Sequence, residues 1–320
     1  MKTIGGFYEL LLPKKSFDYH QNALALSTGR ACLRIILQNL KISKCYVPNY
    51  TCNVVLDQFN LERIPYELYN INENMEPINL PNITTNEYFY YINYFGIKSN
   101  IINKLYGIYG DRLIVDNTHA FFKKKQFDCW SYTSARKFFG VPDGAFLYGP
   151  KKIEIEAERF INFSIEHNIE KHKKNQEFAF KKFQEYERNM TSEVYRISLF
   201  SEKILSLVDV ECVVAKRREN FKVINNLLGA QNTFQLSDIS DNDVPFAYPF
   251  LPSVTPPQKP LCNRNIFIPT LWADPLERDI TTIAERKLAE DLMPLPIDDR
   301  YVSSDMEFMA EQIIKVMNNA

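Results

Sequence analysis

An apolar strand that ends on a carboxylate constrains this chain more than any other stretch. Residues 113–122 read LIVDNTHAFF, so Leu113, Ile114 and Val115 run into Asp116, with His119 three residues on. Residues 127–148 follow as FDCWSYTSARKFFGVPDGAFLY. This is a second apolar run, a hydroxyl-rich turn with adjacent cations Arg136 and Lys137, a Pro-Asp-Gly turn and a further strand. Upstream, KCYVP, RIPYELYNI and EYFYYINYFG are β-forming runs of aromatic and β-branched residues, separated by helical segments. Strand, connection and helix in repetition build a mostly parallel sheet with helices on both faces. Ligands of such sheets lie at the carboxyl ends of the strands. Asp116 stands at one such end.

The remaining segments have plainer signatures. GRACLRIILQNL, residues 29–40, sets Leu33, Ile36, Leu37 and Leu40 on one helical face. Ser27, Thr28 and Gly29 precede it, which supplies a cap and an amide end able to hold an anion. A capped helix is common, so this feature alone says little. A second helix carries Val54, Val55 and Phe59. Residues 1–20 read as an extended arm. Residues 151–228 are charge-dense with apolar residues at helical spacing, and read as several helices broken near 162–168 and 189–192. His167 and His172 there read as surface residues. Residues 244–265 are proline-rich and irregular, FIPTLW (267–272) is a strand candidate, and Ser303 or Ser304 caps a last helix with Met306, Met309, Ile313 and Val316 on one face. A boundary near Leu207 divides the chain into a large domain, 1–207, and a smaller α+β domain, 208–320.

At 320 residues the chain can bury a sizeable core. Its 38 basic and 39 acidic side chains give no general field for nucleic acid or an anionic membrane. No apolar run is long enough to span a bilayer, and the first twenty residues lack the pattern of a secretory leader. Six cysteines without a CxxC pair point away from zinc and toward a reduced, cytoplasmic setting. No metal is expected.

A strand-end acid and a turn that presents a lysine are what an aldehyde cofactor with a basic ring nitrogen requires. The amine forms a Schiff base with the aldehyde, and the acid pairs with the protonated pyridine nitrogen. At these residues the sequence resembles the sugar aminotransferases of the DegT/DnrJ/EryC1/StrS family. VDNTHA resembles the family's Asp-x-x-Gln segment, and SYTSARKFFGVPDGAFLY its lysine segment. STGRACL, VPNYTC, INYFGI, YRIS and PLPIDDRY extend the likeness in the same order over most of the chain.

The resemblance implies a fold-type-I pyridoxal-phosphate transferase, with a mostly parallel central sheet flanked by helices. It implies a homodimer that moves an amino group, from glutamate, to a nucleotide-linked keto-sugar. Lys137, Asp116 and His119 are then the catalytic residues. Thr28, Gly29, Arg30, Cys52, Ser131 and Ser134 join them around the cofactor. His119 stands where relatives carry Gln and either bonds the cofactor's phenolic oxygen or packs as a core histidine. Subunit contacts are expected from the N-terminal arm, from Tyr90 to Phe95, and from the turn before Arg196. Rival readings are a pyridoxal-phosphate sugar dehydratase and a catalytically silent binding or regulatory subunit.

Three departures from the family pattern keep the silent reading open. Counting from Ser131, or back from Asp143–Gly144, the lysine position falls on Arg136. A guanidinium stays charged and forms no imine, so either the turn brings Lys137 to the ring or the Schiff base is lost. Cys52 stands where relatives carry a stacking aromatic, with Tyr50 a possible substitute. Val194 stands where they carry an Asn that reaches the neighbouring subunit.

Overall fold

The computed structural model describes residues 10–236 and 239–318; the first half of the expected N-terminal arm lies outside them. Strands β1 (Leu24–Leu26), β2 (Lys44–Pro48), β3 (Tyr66–Tyr69), β4 (Glu87–Ile92), β5 (Leu113–Asn117), β6 (Trp130–Ser134) and β7 (Ala145–Tyr148) form one sheet in the order β1-β7-β6-β5-β4-β2-β3. From β3 to β6 every pairing is parallel, whereas β7 runs antiparallel to β6, and β1 to β7. Helices α1 (Gly29–Asn39), α2 (Asn53–Leu61) and α3 (Ser99–Tyr109) supply the crossovers. A parallel sheet covered on both faces has strands apolar on both sides. This is why Phe89, Tyr90 and Tyr91, three successive residues of β4, are all fully buried.

The buried stripe of α1 is wider than its periodicity implies. Ala31, Cys32 and Ile35 join Leu33, Ile36 and Leu37, while Leu40 becomes the C-cap. On α2, Leu56 and Phe59 face the core and Val54 is exposed. Tyr90, Tyr91, Tyr94 and Phe95 have no exposed surface. They pack within the chain, so the expectation that this stretch contacts another subunit is withdrawn. The turn after β4 turns left-handed at Phe95 (φ 56°) and Gly96 (φ 70°). A Cβ at Gly96 would press on the His119 carbonyl.

Beyond β7 come a helical hairpin, α4 (Glu166–His172) and α5 (Gln176–Arg188), then α6 (Leu199–Leu205) and the long α7 (Val210–Leu228). The break expected over 162–168 ends earlier, because α4 already starts at Glu166. The C-terminal part holds β8 (Tyr248–Phe250), α8 (Gln258–Cys262), α9 (Ile283–Asp291), β9 (Met293–Leu295) and α10 (Ser303–Met317). β8 and β9 make a two-stranded antiparallel sheet. With α7 and α10 they enclose a second core, in which Met306, Met309, Ile313 and Val316 are buried as the periodicity requires. Val302, not a serine, caps α10, and the Asp305 carboxylate accepts from its amide at 2.9 Å. FIPTLW is not a strand; it crosses back to the first core, where Trp272 is buried.

Candidate functional site

Asp116 closes β5 and is 4 % exposed. Its Oδ2 accepts from the Tyr90 hydroxyl at 2.6 Å and the Tyr132 hydroxyl at 2.9 Å, and its Oδ1 from the Thr118 amide at 2.8 Å. These tyrosines come from the two strands that flank β5. A carboxylate offers about four lone-pair sites, so one acceptor position remains. The Tyr132 ring also lies under the start of α1, 3.4 Å from where a Gly29 Cβ would stand. Thr28 caps that helix by accepting from Ala31 N at 3.0 Å.

His119 is buried between aromatic rings, 4.3 Å from Phe246 and 4.9 Å from Trp272 between centroids. Burial holds its pKa well below 6.5, and the Lys137 charge lowers it further, so the ring is neutral. Its Nδ1 has no partner among the described residues. Trp272, at φ 52°, packs its ring against Tyr50, Tyr94, Phe95 and His119. A bulky side chain in the left-handed region is costly and persists only where surrounding contacts over-determine it. Nearby, the Arg278 guanidinium donates to the carbonyls of Asn49 and Thr51, and the Asp274 carboxylate accepts from Asn53 N at 2.6 Å. The C-terminal segment thus laces the Tyr50–Cys52 turn in place.

The cations after β6 separate. The Arg136 guanidinium pairs with Glu187 of α5 and lies 5.5 Å from the Tyr186 ring. Lys137 is exposed, and among the described residues no ion pair holds it. Its ammonium instead lowers the pKa of His119 and opposes the rise that burial imposes on the Cys52 thiol. So the Lys137 charge is felt at His119 and Cys52, while the Arg136 charge acts on Arg30, His167 and Tyr186.

The far end of that turn is tied down. Asp143, fully buried, accepts from Ser198 N at 2.7 Å, Ser198 Oγ at 2.5 Å and the Ser201 hydroxyl. Gly144, at φ 126°, has no room for a side chain, since Ile197 would stand 3.1 Å from its Cβ.

No family model and no curated protein matches the sequence. Solved structures do. A sugar aminotransferase from Micromonospora echinospora superposes with TM-score 0.62 at 11% identity, over 92% of this chain and 88% of its own. A DegT DnrJ EryC1 StrS aminotransferase from Brucella abortus gives 0.61 at 11% identity, over 93% and 87%. The GDP-4-keto-6-deoxy-D-mannose-3-dehydratase of E. coli, with bound hydrated PLP, gives 0.64 at 11%, over 92% and 89%. The chain has their fold. The fold-type-I expectation therefore stands; within it Asp116 lies at the carboxyl end of β5 and Lys137 in the turn that follows the adjacent parallel strand β6.

Not every expected residue joins them. Ser131 alternates with Tyr132 along β6 and lines a small cavity with Ile102 of α3, on the other face of the sheet. Arg30 is half-buried and donates to the Met190 carbonyl at 2.7 Å. Cys52 precedes α2 without a side-chain capping bond. Tyr90, Tyr132, Phe246 and Trp272 escape the sequence reading. The tyrosines carry a readable signal, namely hydroxyls inside apolar strands that flank an acid. Trp272 carries none, because its approach depends on a crossing of the whole C-terminal segment.

Proposed function

We propose that this chain is a pyridoxal-phosphate-dependent aminotransferase that acts on a nucleotide-linked keto-sugar, with glutamate as donor. The proposal includes a cytoplasmic homodimer, with 1–207 as the cofactor domain and 208–320 as the small domain. The observation that carries it is the pairing, on a sugar-aminotransferase fold, of a strand-end carboxylate with a lysine whose charge acts beside it.

The residues fit the cofactor. Ser27 Oγ, Thr51 Oγ1, Tyr50 OH and His119 Nδ1 are buried without partners among the described residues. Buried polar atoms are normally satisfied, and orphans on the residues next to α1, next to α2 and after β5 are consistent with a polar ligand there. Gly29 opens a helix end that holds phosphate without a charged side chain, Thr28 caps it, and Ser134 is proposed to join them from the end of β6. The remaining acceptor position of Asp116 serves the ring nitrogen, and a carboxylate there favours its protonated form. When bound, the cofactor supplies an electron sink for the substrate carbon. Lys137 holds the cofactor and moves the proton at that carbon. His119, neutral and clamped between Phe246 and Trp272, orients the phenolic edge. Trp272 and Tyr50 keep water from that side in place of the stacking aromatic that Cys52 replaces.

Protein purified with pyridoxal phosphate tests this. A visible absorption band and a borohydride-trapped adduct are expected, both lost in Lys137→Ala and both kept in Arg136→Ala. A normal adduct in Lys137→Ala overturns the assignment. A sugar dehydratase is the second reading, supported by the TM-score of 0.64 to the E. coli enzyme. Product analysis with glutamate present separates the two.

A further inference from the structure

A groove of about 500 Å³ opens beside Lys137. Its walls are the 136–141 turn, the hairpin α4–α5, Arg217 of α7 and the loop at 298–300. Its charge is unbalanced toward the positive. Arg136 and Arg300 already pair with Glu187 and Asp298, the latter at 2.5 Å. Lys171 and Arg217 line it with no ion pair among the described residues, Lys137 stands at its edge, and the lining carboxylates are Asp299 and the Arg300-paired Asp298.

Arg217 decides the reading. It is 2 % exposed, with Nη1 donating to the Phe246 carbonyl at 3.0 Å and the guanidinium 4.7 Å above the Phe138 ring. Its Nε has no partner among the described residues. Burial lowers its pKa, the charges of Asp298 and Asp299 only partly oppose this, and its hydrogen bonds go to carbonyls alone, so the buried cation stays costly. Three more lining residues contribute buried polar atoms without partners: Arg136 Nε, His167 Nδ1 and Asn168 Oδ1. His167, expected at the surface, is thus a half-buried part of this wall, flanked by Phe183 and Tyr186. Three orphaned nitrogens and two unpaired cations, Lys171 and Arg217, around one groove form a site for an oxyanion with several acceptor oxygens.

We propose that this groove binds the diphosphate of the substrate, held by Arg217 and Lys171, with the hairpin α4–α5 as its outer wall. The proposal deepens the sugar-nucleotide reading and rests on it for the source of the phosphates. A diphosphate here leaves the attached sugar on the Lys137 side of the turn. A dicarboxylate amino donor offers the groove the same sign of charge, with other spacing.

Calorimetric titration of the cofactor-loaded protein with inorganic pyrophosphate, and separately with glutarate, tests the assignment. Pyrophosphate is expected to bind, and to weaken by at least about tenfold in Lys171→Glu and in Arg217→Gln. Circular dichroism confirms that both are folded, and Lys171, on the surface hairpin, serves if the buried substitution unfolds the chain. Unchanged pyrophosphate affinity in Lys171→Glu overturns the proposal, as does binding of glutarate without pyrophosphate. The visible cofactor band is read on the same samples. Its absence alongside pyrophosphate binding that Lys171→Glu weakens sinks the cofactor reading and leaves the groove standing.

Discussion

The end of β5 and the turn after β6 meet at one site and are built in opposite ways. Asp116 is enclosed, and its two oxygens take hydrogen bonds from two tyrosines and an amide. The β6–β7 turn is anchored at Asp143 and Gly144, yet Lys137 at its other end stays exposed. The difference follows from the roles proposed for each side. A carboxylate that holds a ring nitrogen must not move, so its neighbours fix it. A lysine that moves a proton must reach more than one atom, so only the frame beneath it is rigid.

Breaking the rigid end of the turn has the largest expected effect. Asp143→Ala leaves a buried amide and two serine hydroxyls without their acceptor, at a cost on the order of 3 kcal/mol. Chemical denaturation measures that loss, and cofactor uptake falls with it. A stable variant with normal uptake means that the turn does not depend on this anchor.

Acid separates the two sides next. Burial pulls the pKa of His119 well below 6.5, and that of His20 to about 3. Below 6.5 the unfolded chain therefore binds more protons than the folded one. Stability is full above that pH and falls as pH drops, by up to about 1.4 kcal/mol per pH unit for each histidine. His167, on the turn side, is only half-buried and adds less. Denaturation midpoints between pH 7 and 5 should fall steeply, and His119→Gln should flatten the slope by about one proton. An unaltered slope places His119 in contact with solvent.

The smallest effect sharpens the description of the acid. Tyr132→Phe removes one of three donors to Asp116 and should cost about 1 kcal/mol, with the visible cofactor band retained. A loss several times larger means that the two tyrosines and the carboxylate act as one cooperative unit.

The parallel sheet, α1 with its capped start and the strand-end acid were legible in the sequence, since each rests on local periodicity or on residues a few positions apart. The periodicity of α10 was legible for the same reason. Burial of Tyr90 to Phe95 was misjudged because aromatic content does not say which surface covers it; here helices on both faces do. FIPTLW has strand propensity but no partner strand, and it is drawn across to the first core through Trp272.

The choice between Arg136 and Lys137 is the clearest division. The sequence determined that two cations follow β6 and that only one can form an imine. Both cations border the groove against α4–α5 yet pair differently, and local preference does not choose between them. Glu187 and Tyr186, some fifty residues later, draw the guanidinium toward α5 through charge and a ring face. Lys137 is left without an ion pair among the described residues, its charge acting on His119 and Cys52, because that outcome depends on where α5 packs, a long-range contact the local sequence does not encode.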